Sequence, residues 1–282
     1  MNLGPWQLDT VSGGRFRLDG GTMFGVVPKS LWEPVQPADE LNRIRMATHC
    51  VLARDGQHTV LVDTGYGQSS TYADTEIHDL EPGFPLLDSL AALGVTVDEV
   101  DTVILSHLHF DHVGGGTFAG DDGRRRTTFP RASYFVQRRE WEDATSKSPL
   151  LAGSYDPERF AALEASGQLR LVDGDTTVVP GIQSLLTGGH TRGHQALVIE
   201  GEEQRALYAG DLCPMTSHVR THWHMAYDVF PLETRARKRE LLGRAADQGW
   251  WVLWDHDPDV AAGHVARDEK REFRVVERRA RL

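Results

Sequence analysis

Residues 106–115 read SHLHFDHVGG, and no other stretch restricts the fold of this chain as strongly. His107, His109, Asp111 and His112 stand together directly after TVILS (102–106), an apolar run that reads as a buried strand. Imidazole and carboxylate groups are costly to bury without partners. A strand that ends in four of them must deliver them to a common point. The rest of the chain then has to bring further groups to that point.

The pattern is H-x-H-x-D-H. Histidines two apart in extended backbone face the same way, and a following turn can swing Asp111 and His112 to a neighbouring position. Imidazole nitrogens with a carboxylate suit a borderline divalent ion such as zinc. Gly114, Gly115 and Gly116 allow backbone to pass close by. Other ligand-type side chains also follow apolar runs. LLTGGHTRGHQALVIE offers His190 and His194, RALYAGDL ends in Asp211, and WWVLWDHD ends in His256 between Asp255 and Asp257. A lone aspartate after a strand is ordinarily a cap or turn residue, so the joint occurrence carries the argument.

Short β-rich runs recur along the chain: RFRLDGG, RIRMATHCVLAR, HTVLVD, TVILS, ASYFV, QLRLV, GIQSLL, ALVIE, RALYAGD, WWVLWD and EFRVV. Helical patterns lie between them at 85–94, 137–144, 158–165 and 234–249. The first places Leu86, Leu87, Leu90 and Leu93 on one face. Mixed strands and helices predict one α/β domain over 1–282, with two sheets covered by helices and a site at strand ends. Residues 67–81 and 214–231 read as long, functional loops.

A net charge of −11 argues against nucleic acid as a partner. No run is long and apolar enough for a membrane span. The start, MNLGPWQLDT, lacks the basic and apolar regions of a secretory signal. Two cysteines cannot build a disulfide framework, so the expected compartment is the cytoplasm.

Taken together, the motifs from LVDTG (61–65) to WDHD (254–257) resemble the metallo-β-lactamase superfamily. That resemblance implies an αββα sandwich of two mixed sheets with a metal pair at one edge. It implies His107, His109 and His190 on one metal, Asp111, His112 and His256 on the other, and Asp211 bridging the two. It also implies that Asp63 steadies a ligand, as groups behind metal-bound imidazoles commonly do. His194 is read as a supporting residue. Seven ligands point to two divalent ions, with zinc expected first and manganese, cobalt or iron as alternatives. Water shared by two cations loses its proton near neutral pH, and Asp111 is the candidate to pass a proton to the leaving alkoxide.

Several branches of the superfamily do not fit the residues. The β-lactamases with a cysteine ligand lack a bridging aspartate, and the diiron flavin-linked reductases carry Glu where this chain has His109. GGTMFGVVPKSLW (20–32), PADELNRI, GGHTRGH and HMAYDVFP (224–231) are similar to the YtnP-like quorum-quenching lactonases and the related methyl parathion hydrolase-like enzymes. The resemblance implies hydrolysis of N-acyl-homoserine lactones by a bridging hydroxide, with phosphotriester or aryl ester hydrolysis as the alternative. A mononuclear iron persulfide dioxygenase shares the H-x-H-x-D-H pattern and is the remaining competitor. Acyl-homoserine lactonases place a Tyr three residues after the bridging Asp, where this chain has Pro214; Tyr227 or His218 is the expected substitute. Phe24 and Trp32, in the N-terminal segment 1–40, are the expected acyl-chain wall, with Gly25 letting them sit close to a ligand. The same segment is the candidate contact of a homodimer.

Overall fold

The computed structural model describes residues 1–72, 75–146, 148–151, 153 and 155–282. Two seven-stranded mixed sheets pack face to face. The first runs, in spatial order, Asn2–Leu3, Trp6–Asp19, Arg43–Arg54, Thr59–Val62, Thr102–Ile104, Ser133–Gln137 and Leu169–Val172. The second runs in simple chain order through Thr176–Val179, Ile182–Leu186, Gln195–Glu200, Arg205–Tyr208, Trp251–Leu253, Ala262–Asp268 and Glu272–Arg279.

Three apolar layers hold this arrangement. Val51, Val62 and Ile104 of the first sheet meet Ile182, Leu197, Ile199 and Leu253 of the second in the central layer. Leu86, Leu90, Trp141, Phe160 and Leu163 cover the outer face of the first sheet from the helices Pro85–Ala92, Arg138–Thr145 and Pro157–Ala165. Leu241, Leu242 and Ala245 of the helix Pro231–Gln248 cover the second. The fold is therefore the αββα sandwich that the motifs implied.

The boundaries depart from the sequence reading for local reasons. The strand Trp6–Asp19 was visible only in its second half, because a bulge between Ser12 and Arg15 breaks its alternation. Thr176–Val179 and Ala262–Asp268 were missed: one is short, and the other alternates polar side chains across a half-exposed face. The last helix starts at Pro231, earlier than its apolar period suggests, since proline at the first helical position loses no hydrogen bond. It stops at Gly249, whose φ of 66° is left-handed. Leu93 falls just beyond the helix Pro85–Ala92 and is 37% exposed, off the buried face that holds Leu86 and Leu90.

The two expected loops are partly ordered into short elements. Residues 67–81 contain the turn Ser69–Thr71 and the helix Thr75–His78, with 73–74 outside the described residues. Residues 214–231 contain the turn Thr216–Val219. Among the described residues no helix is long and apolar enough to cross a membrane.

Candidate metal centre

Strand Thr102–Ile104 ends in the buried central layer, and the chain then turns through residues 105–109 into the short helix Phe110–Val113. That turn brings the His107 Nε2 and His109 Nδ1 atoms to 3.0 Å. His190, from the turn between strands Ile182–Leu186 and Gln195–Glu200, adds its Nε2 at 3.0 Å from His109 Nδ1. His256, just past Trp251–Leu253, sets its Nε2 3.1 Å from that of His112. Four ligands about 2.0–2.1 Å from a tetrahedral zinc are separated by roughly 3.3 Å. These nitrogens sit close to that spacing.

Asp211, in the turn that follows strand Arg205–Tyr208, stands between the two groups. Its Oδ2 lies 3.0 Å from His190 Nε2 and 3.6 Å from His107 Nε2. Its Oδ1 lies 3.1 Å from His256 Nε2 and 3.6 Å from His112 Nε2. One carboxylate thus offers one oxygen to each group. Asp111 reaches the second group with both oxygens, 3.5 Å from His256 Nε2 and 3.9 Å from His112 Nε2, and also faces the open cavity.

The electrostatics fit a cation. Burial and the neighbouring imidazoles push His107 and His109 well below the usual histidine range, leaving neutral rings able to donate a lone pair. Burial also acts to lower His190, yet Asp211 and Asp228 beside it hold it up at about 10. His112 is held up at about 9, against burial, by Asp111, Asp211 and Asp63. The carboxylates at these strand ends demand positive charge, and a pair of divalent ions between the two histidine groups would supply it.

Behind the ligands stands a set of anchors. Asp63 adopts a left-handed φ of 56°, uncommon for a residue with a side chain. Its Oδ2 lies 2.9 Å from His112 Nδ1 and accepts bonds from the hydroxyls of Ser106 and Tyr208, while Oδ1 accepts the Ser106 N–H. Asp228 Oδ1 lies 2.9 Å from His190 Nδ1, and the Ala47 carbonyl lies 2.7 Å from His256 Nδ1. Glu140 is fully buried and accepts bonds from Leu108 N–H, the Thr191 hydroxyl and the Tyr155 hydroxyl, tying the histidine motif to the GGHT turn. His194 packs its ring behind two of these imidazoles, with centroids 5.3 Å from His107 and 5.9 Å from His190, and its Nδ1 lies 2.6 Å from the Thr187 hydroxyl.

Asp228 and Glu140 were not singled out from sequence. Asp228 lay inside the quoted HMAYDVFP stretch without a metal-ligand spacing. Glu140 looked like an ordinary charge on an amphipathic helix. A buried carboxylate on a helix is invisible until the packing face is known.

The glycines of the motif work differently from their expected role. A Cβ on Gly114 or Gly115 would fall 2.2 Å from Tyr66 O or 2.1 Å from Thr64 O. They let the motif pack on the LVDTG turn rather than on a ligand.

A cavity of about 270 Å³ opens over the centre, lined by His109, Asp111, His190, Asp211 and His256 at its floor. Leu18, Met23, Phe110, Met225, Tyr227 and Val229 form much of its walls. Of the four residues expected to touch substrate, Tyr227 lines this cavity, and Phe24, Trp32 and His218 do not. Helix Gly20–Phe24 turns Met23 toward the cavity and Phe24 behind it. Phe24 stacks between Trp32 and His218, with ring centroids 5.2 and 4.9 Å away, and meets Trp223 edge-on. His218 is fully buried and its Nε2 lies 2.9 Å from the Met23 carbonyl. Gly25 likewise serves packing: a Cβ there would sit 2.9 Å from His224 O.

The profile of the metallo-beta-lactamase superfamily matches residues 43–256. An N-acyl homoserine lactonase of Bacillus cereus is 29% identical over 172 residues, 57% of this chain and 62% of that protein. The chain thus spans less than two thirds of the length of that relative. A probable metal-dependent hydrolase from Staphylococcus aureus superposes with a TM-score of 0.90 at 29% identity, over 99% of both chains. AidC, a dizinc quorum-quenching lactonase in complex with a product, shares the fold with a TM-score of 0.80 at 21% identity, over 99% of this chain and 96% of its own.

Proposed function

This chain belongs to the metallo-beta-lactamase superfamily, and on that premise we propose that it is a metal-dependent hydrolase that opens N-acyl-homoserine lactones. The observation that carries the reading is Asp211, whose two oxygens face two separate imidazole groups beneath an apolar cavity. Similarity to the lactonase of Bacillus cereus supports the substrate class.

His107, His109 and His190 would hold one ion, His112, His256 and Asp111 the other, and Asp211 both. When bound, the pair supplies a water of lowered pKa and a Lewis acid for the lactone carbonyl. The protein does the rest. Asp63, Asp228 and the Ala47 carbonyl fix the far nitrogens of three imidazoles, so that their Nε2 lone pairs stay aimed at the centre. Asp111 borders the cavity and can carry a proton to the leaving alkoxide. Met23, Met225 and Val229 present apolar surface to an acyl chain, and each methylene buried there contributes up to about 0.8 kcal/mol. Tyr227, on the same wall, adds its ring to that apolar surface.

The test is a substrate panel run on metal-quantified protein: acyl-homoserine lactones of several chain lengths, simple aryl esters, phosphotriesters and glutathione persulfide. Acyl-homoserine lactones should give the highest kcat/KM. Phosphotriesters ahead of every lactone would move the assignment to the ester-hydrolase alternative. A single iron with oxygen uptake on persulfide would replace hydrolysis with dioxygenation.

A further inference from the structure

One carboxylate at the centre has no partner in the arrangement described so far. Asp255 is 1% exposed, and neither of its oxygens has a hydrogen-bond partner. A buried, uncompensated carboxylate is among the costliest groups a fold can carry. Nearby donors are already engaged: the Tyr208 hydroxyl and Ser106 both serve Asp63. The small space around it, bounded by Cys50, Asp63, Tyr208 and His256, does not admit a water-sized sphere. A trapped water therefore does not answer the charge.

The geometry offers another partner. Asp255 Oδ2 lies 3.7 Å from His256 Nε2. Asp255 joins His112, Asp211 and His256 in a group whose ligand atoms all lie within 4.8 Å of one another. It borders the sealed space and not the open cavity, whereas Asp111 borders both. Backbone holds it there: the carbonyl of Asp255 accepts the His49 N–H, and the next residue's N–H goes to Pro214 O.

We infer that Asp255 is a further ligand of the second metal position, entering from the buried side, and that the two positions consequently favour different ions. This rests on the two-metal reading above. The first position offers three imidazoles and one carboxylate oxygen, a set suited to four-coordinate zinc. The second offers two imidazoles and carboxylates from Asp111, Asp211 and Asp255. More ligands and more oxygen favour a harder ion of higher coordination number, such as manganese. Zinc remains the stronger binder in absolute terms, so the effect is a narrowed zinc-over-manganese preference at the second position.

The measurement uses the full-length chain, stripped of metal, given one equivalent of zinc and then titrated with Mn2+ while free Mn2+ is followed by EPR. Wild type should take up close to one Mn2+, and Asp255→Asn should bind it more than about 100-fold more weakly, beyond the roughly 10- to 100-fold that a group merely supporting a ligand accounts for. Retention of the first zinc should be the same in both proteins. Thermal unfolding of the metal-free proteins adds a second readout: the variant, freed of an unpaired buried charge, should melt no lower than wild type. Equal Mn2+ affinity in the two proteins overturns the inference and leaves the two-metal reading standing. A variant that loses the first zinc as well, or melts lower without metal, makes Asp255 a structural residue and also overturns it. Wild type that binds one ion in total, of either metal, removes the two-metal reading and the inference together.

Discussion

The cavity separates two regions built on opposite physical terms. At its floor and just beneath it stand seven histidine and aspartate side chains, six of them buried and His109 half-buried, at an energetic cost that partners must offset. Behind its wall, Phe24, Trp32, His218 and Trp223 are buried because stacking apolar rings out of water stabilises the fold. Both regions are almost free of solvent and lie a few residues from the same cavity. The floor residues each depend on a particular partner atom, whereas the stack depends on shape and volume. Substitutions at the floor should therefore change chemistry before stability. Substitutions in the stack should do the reverse.

The largest contrast should come from Asp211→Ala. Because one carboxylate serves both histidine groups, its loss should release metal from both positions and cost more activity than the roughly 10- to 100-fold expected for His194→Ala. Metal content by elemental analysis, beside kcat on a long-chain lactone, measures both. Equal loss of metal in the two variants would mean that His194 is a ligand.

Phe24→Ala should sit at the other pole. Truncating a fully buried phenylalanine costs about 3–5 kcal/mol. Denaturant unfolding should show that loss, with surviving folded enzyme keeping the wild-type ratio of kcat/KM between long and short acyl chains. A selective loss on long chains would return Phe24 to the cavity wall.

Acid should divide the regions more gently. Burial lowers His218 to about 3, against about 6.5 in the unfolded chain. As pH falls through about 6.5 the unfolded state takes up a proton that the folded state refuses until about 3. Stability contributed at His218 is therefore complete above about pH 6.5 and lost progressively toward pH 3, on the order of a few kcal/mol. Unfolding midpoints measured across that window should fall with pH, and His218→Gln should flatten the slope. An unchanged slope in the variant would assign the acid sensitivity to the floor alone.

The smallest effect belongs to Tyr227→Ala. Tyr227 is 41% exposed, so its removal should leave the unfolding midpoint nearly unchanged. It should raise KM for long acyl chains by roughly fourfold, the equivalent of one methylene's burial, and affect short lactones less. An equal rise at every chain length would place its role on the lactone ring rather than the tail.

These two regions were also unequally legible in the sequence. His107, His109, Asp111, His112, His190, Asp211 and His256 are polar residues at strand ends, and the fold brings all seven into two adjoining groups that share Asp211. Buried polar side chains need a reason, so their spacing carries information. The aromatic run 20–32 carries much less, because apolar residues gain from burial against any apolar neighbour. One residue of rotation in helix Gly20–Phe24 exchanges Met23 for Phe24 at the cavity, and no pattern in GGTMFG decides that rotation. Asp228, Glu140 and Asp255 were hidden for a third reason. Their importance lies in what stands opposite them across the fold: His190 is 38 positions from Asp228, Thr191 is 51 from Glu140, and His112 is 143 from Asp255.

The ligands are also ordered in time. Four come from residues 107–112, attached to the first sheet, and the others follow at 190, 211 and 256, attached to the second. A chain emerging from the ribosome carries half of the centre long before the other half exists. Until His256 has been made and the sheets have docked, any ion held by the early histidines lacks its remaining ligands and exchanges freely. On the two-metal reading proposed above, tight retention would therefore mark a finished chain, and the metal pair would act as a late clasp across the seam between the sheets. Chelators should speed unfolding by opening that clasp, and truncation anywhere before residue 256 should yield protein that cannot keep its second ion.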